Sequence, residues 1–116
     1  MGIDIITIGN ELVNGTHTDT NGSWIAGQVH AAGHQTGQIL TIGDDMGKIL
    51  SSLESVTGNL VIITGGLGPT SDDLTKEAIC QWTGDTLVEH KKTLELIESF
   101  FSKRGLEVTE RNKAQA

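Results

Sequence analysis

Three short stretches of this 116-residue chain pair glycine with acid: Gly9–Gly15 (GNELVNG), Gly43–Asp45 (GDD) and Gly65–Asp73 (GGLGPTSDD). The third is the densest. Gly65, Gly66 and Gly68 flank Leu67, the chain's only proline follows at Pro69, and Asp72 and Asp73 close the stretch. Glycines let a backbone approach a ligand closely and turn its N–H groups inward. A following helix N-terminus adds partial positive charge. Such a loop cradles phosphate. Aspartates repel phosphate unless a hard divalent cation lies between them. The combination reads as a site for a small phosphorylated ligand bound with a divalent metal ion. In that reading Gly65, Gly66, Gly68 and Thr70 cradle the phosphates. Asp44, Asp72 and Asp73 hold the metal. Glu11, in the first stretch, is a metal ligand or a base for an attacking water. Asn21, in the THTDTN segment after the first stretch, is a further ligand contact.

Simpler roles compete residue by residue. Asp44 has the right type and position to cap a helix, as do Ser71, Asp72 and Asp73. Thr70–Asp73 (TSDD) fits the capping-box pattern. The glycines also suit turns. GGLGPTSDD is neither a P-loop, since no Lys-Ser/Thr pair follows, nor a G-x-G-x-x-G turn. His30 and His34 are four apart, but Gly33 breaks the helix between them and no further ligands stand nearby in sequence. His17 reads as an exposed loop residue. Cys80, the single cysteine, has no internal disulfide partner and reads as a free thiol.

The elements that must position these loops are legible from hydrophobic pattern. Ile3–Ile8 (IDIITI), Ile39–Ile42 (ILTI) and Leu60–Thr64 (LVIIT) are short apolar, β-branched runs, each followed by glycine. Between them lie helical patterns. Trp24, Ile25, Val29 and Ala32 mark a first helix, with Thr20 and Asn21 as candidate caps and Gly33 as its stop. Met46, Ile49, Leu50, Leu53 and Val56 form one stripe of a second, opened by Asp44 or Asp45. Leu74, Ala78, Ile79 and Trp82 mark a third, stopped by Gly84. A fourth runs from about Glu89 to Arg104, with Leu94, Ile97 and Phe101 on one face and Gly105 just past its end. Trp24 and Trp82 are assigned to core-facing positions. Strands alternating with helices predict an α/β fold with a parallel sheet covered on both faces. In such sheets ligands bind beyond the carboxyl ends of the strands. The three glycine–acid stretches leave those ends, so the fold gathers three acid clusters on one edge.

Composition narrows the function. The net charge is −7, from 15 acidic and 8 basic residues, and no basic stripe interrupts it. Nucleic acid is therefore an unsuitable partner. Aromatics are 3% with no Tyr, which leaves no platform for stacking bases. No apolar run approaches the ~20 residues of a membrane span, and the first residues lack the basic start of a signal peptide. The expectation is a cytoplasmic protein with one domain over residues 1–116.

IGNELVNGTHTDTNGSWIA and GGLGPTSDDLTKEAI, with RNKAQA near the end, closely resemble the N-terminal domain of the CinA (competence/damage-inducible) family. That domain is similar to the wider molybdopterin-binding superfamily, with MogA, MoaB and the gephyrin G domain. The resemblance implies a three-layer α/β/α sandwich with a mostly parallel sheet, and assembly into dimers or trimers. It also implies a domain that continues for another ~50 residues, so the chain is expected to be truncated at its C-terminus. In the cofactor-building members, aspartates of the second and third loops act with Mg²⁺ in adenylating the molybdopterin phosphate. Asp44 and Asp73 match them. Those members carry Arg where this chain has Asp72. CinA-type proteins carry Asp-Asp there, and their N-terminal domain is associated with hydrolysis of ADP-ribose to AMP and ribose 5-phosphate. A separate domain of the family deamidates nicotinamide mononucleotide, and this chain does not resemble that domain.

The expected function is thus hydrolysis of the diphosphate of ADP-ribose or a related nucleotide, dependent on Mg, Mn or Co. The alternative is a non-catalytic module that binds a molybdopterin or nucleotide ligand.

Overall fold

The computed structural model describes residues 2–116. Three strands form one parallel sheet in the order β2-β1-β3: β1 (Gly2–Ile8), β2 (Gln35–Ile42) and β3 (Leu60–Thr64). β1 is central because it can be buried on both faces. Ile3, Ile5, Ile6 and Ile8 are all in the core, and burying such a side chain stabilises by roughly 1.5–3 kcal/mol. Thr7 pairs with Thr41 on one side and Thr64 on the other. The three strands therefore end level, and their loops leave from one edge.

Helices cover the two faces as separate layers. α1 (Asn10–Val13) is a single turn inside the first glycine–acid stretch, which carries no helical pattern. α2 (Thr20–Ala31) covers the face of Ile5 and Thr7, burying Gly22 and Val29. α3 (Met46–Glu54) and α4 (Thr75–Thr83) cover the other face. There Ile6 and Ile8 pack with Ile49, Leu53 and Ala78, and Leu40, Ile42, Val61 and Ile63 close round them. This is the expected three-layer α/β/α arrangement.

Several local expectations need correction. Trp24 is 66% exposed and Trp82 42% exposed, so neither is a core residue. On α2 the buried positions are Gly22 and Val29, and Trp24 lies off that face. Asp19 caps α2, accepting from the Gly22 N–H at 3.0 Å, in place of Thr20 or Asn21. The predicted second strand starts four residues earlier than Ile39. Its exposed positions, Gln35, Gly37, Ile39 and Thr41, alternate with half-buried ones, as suits an edge strand covered on one face only. The stops hold. Gly33 has φ +83, and the Gly33 and His34 N–H groups return to the His30 and Val29 carbonyls. Gly105 closes its helix in the same way, through bonds from Gly105 and Leu106 to Ser102 and Phe101.

Asp4 interrupts the apolar run of β1 and is 1% exposed. Its Oδ2 accepts from the Thr57 and Gly58 N–H groups at 3.0 and 3.1 Å and from Gln38 Nε2 at 3.3 Å. It ties the turn before β3 to the two neighbouring strands, where the β1–β2 register slips between Ile3 and Ile5. These bonds, led by that from Gly58, hold its carboxyl below the usual carboxylate value.

The C-terminal part stands apart. α5 (Lys91–Ser102) buries no residue, and its principal neighbour is the single-turn α6 (Glu110–Lys113). The radius of gyration is 16.1 Å, against about 13 Å for a compact domain of this length.

Candidate functional site

The first loop begins at Gly9, whose N–H bonds the Ile42 carbonyl at 2.9 Å and so joins the ends of β1 and β2. Asn10 and Asp44 then clasp each other across the two loops. The Asn10 N–H donates to Asp44 Oδ2 at 3.2 Å, and the Asp44 N–H donates to Asn10 Oδ1 at 2.9 Å. Asp44 is half-buried and does not cap α3; Asp45 does, accepting from the Lys48 N–H at 2.9 Å. Glu11, exposed on α1, curls back so that its carboxylate lies beside the Gly9 Cα, where a β-carbon would meet it at 2.5 Å.

The far end of the first loop is tied down by Asp19. Its Oδ2 accepts from the buried Thr7 hydroxyl at 2.8 Å and the Thr41 hydroxyl at 3.4 Å, while Oδ1 caps α2. Thr7 and Thr41 also lie 3.0 Å apart. This knot sets the α2 N-terminus, and with it Asn21 in the first helical turn, at the carboxyl ends of β1 and β2. Asn21 itself is exposed.

The third loop owes its glycines to packing. Gly65 has φ +91, and a β-carbon there would sit 2.0 Å from the Ile8 carbonyl oxygen. Gly66 has φ +64, and its β-carbon would meet Thr75 Oγ1 at 2.3 Å. The Thr75 hydroxyl and N–H in turn bond the Gly65 and Gly66 carbonyls at 2.7 and 3.2 Å. With those carbonyls turned toward α4, the Gly66 and Leu67 N–H groups have no protein acceptor among the described residues. Beside them α4 starts at Thr75 behind Leu74, which supplies no side-chain cap. The capping box expected at Thr70–Asp73 is absent.

Asp73 closes the loop on itself. Its Oδ2 accepts from the Thr70 hydroxyl at 2.6 Å and the Thr70 N–H at 2.9 Å. The Thr70 hydroxyl bond, followed by the Thr70 N–H, holds the Asp73 carboxyl below its ordinary value. Thr70 is thereby engaged by Asp73. Asp72 is exposed and has no hydrogen-bond partner among the described residues. A β-carbon on Gly68 would touch Asp73 Oδ2 at 2.7 Å, so Gly68 makes room for that carboxylate.

The three loops thus meet at one edge, as the strand pattern implies. Asp44 is joined to the first loop, and the third loop packs on Ile8 at the first loop's root. Among the described residues, no three His, Cys, Asp or Glu side chains converge as a ready metal cage. The donors are nevertheless hard oxygens, and Mg²⁺ is commonly held by one or two carboxylates with the rest from water and substrate phosphate. Asp44 and Asp73 suit that mode. Sequence reasoning missed Asn10 and the Thr7–Asp19–Thr41 knot; the polar residues inside apolar strands, Thr7 and Thr41, were the available signal. Cys80 is a half-buried free thiol, and His30 and His34 are both exposed.

The chain's similarities agree with this architecture. A family model described as "Probable molybdopterin binding domain" matches residues 4–114. A CinA-like protein of Geobacter sulfurreducens is 42% identical over 117 residues, and one of Thermomicrobium roseum 40% over 114. The matches take in 99% and 97% of this chain and 28% of each relative, so the chain spans under a third of their length. The crystal structure of the CinA protein of Thermoplasma acidophilum superposes with a TM-score of 0.85 at 29% identity, over 97% of this chain and 66% of that one. The tungsten cofactor synthesizing protein MoaB of Pyrococcus furiosus shares the fold, with a TM-score of 0.65 at 20% identity over 89% of this chain and 63% of that one. With nearly its whole length matched by that model, the chain belongs to the molybdopterin-binding-domain family, and within it is similar to the CinA-like proteins.

Proposed function

We propose that the loop edge binds a nucleotide diphosphate and hydrolyses it, with ADP-ribose or a close relative as substrate and a divalent ion (Mg²⁺, Mn²⁺ or Co²⁺) as cofactor. The observation that carries this reading is the Gly65–Leu67 backbone. Left-handed glycines free two N–H groups beside an uncapped helix start, an arrangement that suits phosphate oxygens. Asp44 and Asp73, on the second and third loops, would hold the cation, with Asp72 available from solvent. The bound cation would offset charge between carboxylates and phosphate. Gly68 and Thr70 would shape the loop around the ligand, and Asn21, in the first turn of α2, would contact it. Glu11, an exposed carboxylate at the root of the first loop, would accept the proton of the attacking water. Water adds to phosphorus, the bridging P–O bond breaks, and AMP and ribose 5-phosphate leave.

The test is ³¹P NMR of ADP-ribose incubated with the protein and each cation. Two phosphomonoester signals should replace the diphosphate pair, and Asp44→Ala should slow that change by at least about 100-fold, the scale of losing a charge-stabilising group. A persistent diphosphate pair with every cation would overturn hydrolysis.

The second reading is a non-catalytic module for a pterin or nucleotide ligand. The family description favours it, as does the lack of a preformed three-carboxylate cage among the described residues. Calorimetric binding of ADP-ribose without any product would select it.

A further inference from the structure

We infer that Asn10 is the positioning residue for Asp44, an inference that rests on the loop edge being the ligand site. Asn10 meets Asp44 twice. Its side-chain Oδ1 fixes the Asp44 backbone N–H at 2.9 Å, and its own N–H, the first of α1, fixes Asp44 Oδ2 at 3.2 Å. The pair closes a reciprocal ring between residues 34 positions apart. Two contacts across one ring set both the place of the Asp44 backbone and the rotation of its carboxylate. One carboxylate oxygen is committed to Asn10, and Oδ1 is left without a hydrogen-bond partner among the described residues.

The neighbours enforce the arrangement. Gly9 bonds Ile42 and brings the start of α1 against the second loop. Gly43 leaves the space that Asn10 fills, since a β-carbon there would lie 2.7 Å from Asn10 Oδ1. Gly43 lies outside the left-handed region, so its glycine is required by this contact and not by backbone conformation. Only a small acceptor at position 10 fits. A carboxylate would satisfy the Asp44 N–H equally well, but would set a second negative charge beside Asp44 and weaken phosphate binding.

The test uses the chain with Asn10→Ala, Asn10→Asp, Gly43→Ala and Asp44→Ala. Amide hydrogen exchange at Asp44 is read by NMR, and ADP-ribose affinity by calorimetry with Mg²⁺ present. Asn10→Ala should speed Asp44 exchange and weaken ADP-ribose binding by about fivefold, the usual worth of one net hydrogen bond. Gly43→Ala, which displaces Asn10 without removing it, should do the same. Asn10→Asp should restore slow exchange while binding stays weak. A purely structural Asn10 would change the melting temperature and leave affinity in step with the folded fraction. Asp44 exchange within twofold of the parent in both Asn10→Ala and Gly43→Ala overturns the inference, as does unchanged affinity in variants whose Asp44 exchange is faster. If the parent protein itself binds no ADP-ribose, the ligand reading falls, and the exchange arm alone decides whether Asn10 holds Asp44. Gly43→Ala serves that arm even if Asn10→Ala fails to fold.

Discussion

Asp73 shows how a residue that looks like a metal ligand is first a loop residue. Thr70 donates twice to one of its oxygens, which stabilises the ionised carboxylate. Its folded pKa is depressed, so the contribution of this contact is present above the ordinary value of 3.8 and is lost as pH falls through the lower folded midpoint. A ¹³C titration of the Asp73 carboxyl should give a midpoint below that of an unstructured aspartate. Thr70→Val, which removes the hydroxyl and keeps the N–H, should move the midpoint upward without reaching the ordinary value. An unmoved midpoint would mean that the hydroxyl contact is not made in solution.

At the scale of the element, the third loop separates two kinds of glycine. Gly65 combines a left-handed backbone with a β-carbon position 2.0 Å from a main-chain oxygen that cannot move aside. Gly65→Ala is expected to destabilise by about 1–3 kcal/mol. Gly68 has no such backbone requirement and faces only the end of the Asp73 side chain. Gly68→Ala should stay within about 1 kcal/mol while disturbing Asp73. Urea unfolding midpoints of the two variants check the contrast; equal losses would show that the loop's packing on Ile8 is not what selects glycine. The glycine spacing GGLG was legible in the sequence. Which glycine is demanded by packing and which by a neighbouring carboxylate was not, because that depends on Ile8 and Thr75, which lie far from the loop in sequence or beyond its end.

For the whole molecule, the sheet and its three flanking helices form the packed part, and α5 with α6 lies outside it. Leu96 is 70% and Phe100 51% exposed, and Phe100 is covered mainly by Phe101 and by Arg104, whose guanidinium sits 3.7 Å from the ring centre. A helix with so little buried area opens at a free energy well below that of global unfolding. Its amides should exchange faster than those of β1 under native conditions, with protection falling off from Leu94, Ile97 and Phe101 toward Leu96 and Phe100. Equal protection in α5 and β1 would show that the exposed face is covered in solution. The fourth helix, its Gly105 stop and its half-buried stripe were all readable from periodicity. Its isolation was not, since the stripe marks which face is apolar and carries no information about what covers it.

The sequence by itself determined the α/β class, the three parallel strands, the helix stops at Gly33, Gly84 and Gly105, and the convergence of three glycine–acid loops on one edge. These follow from local pattern: runs of β-branched residues, helical spacing, glycine after each strand, and the rule that strand ends share an edge. Tertiary structure alone decided how the acids are used. Asp44 proved to be clasped by Asn10, Asp45 to be the helix cap, Asp73 to be folded onto Thr70, and Asp19 to be knotted to two strands. It also placed Trp24 and Trp82 at the surface. A carboxylate's role depends on which donors reach it through space, and residues 4 and 58, 7 and 41, or 10 and 44 become neighbours only once the sheet sets the register.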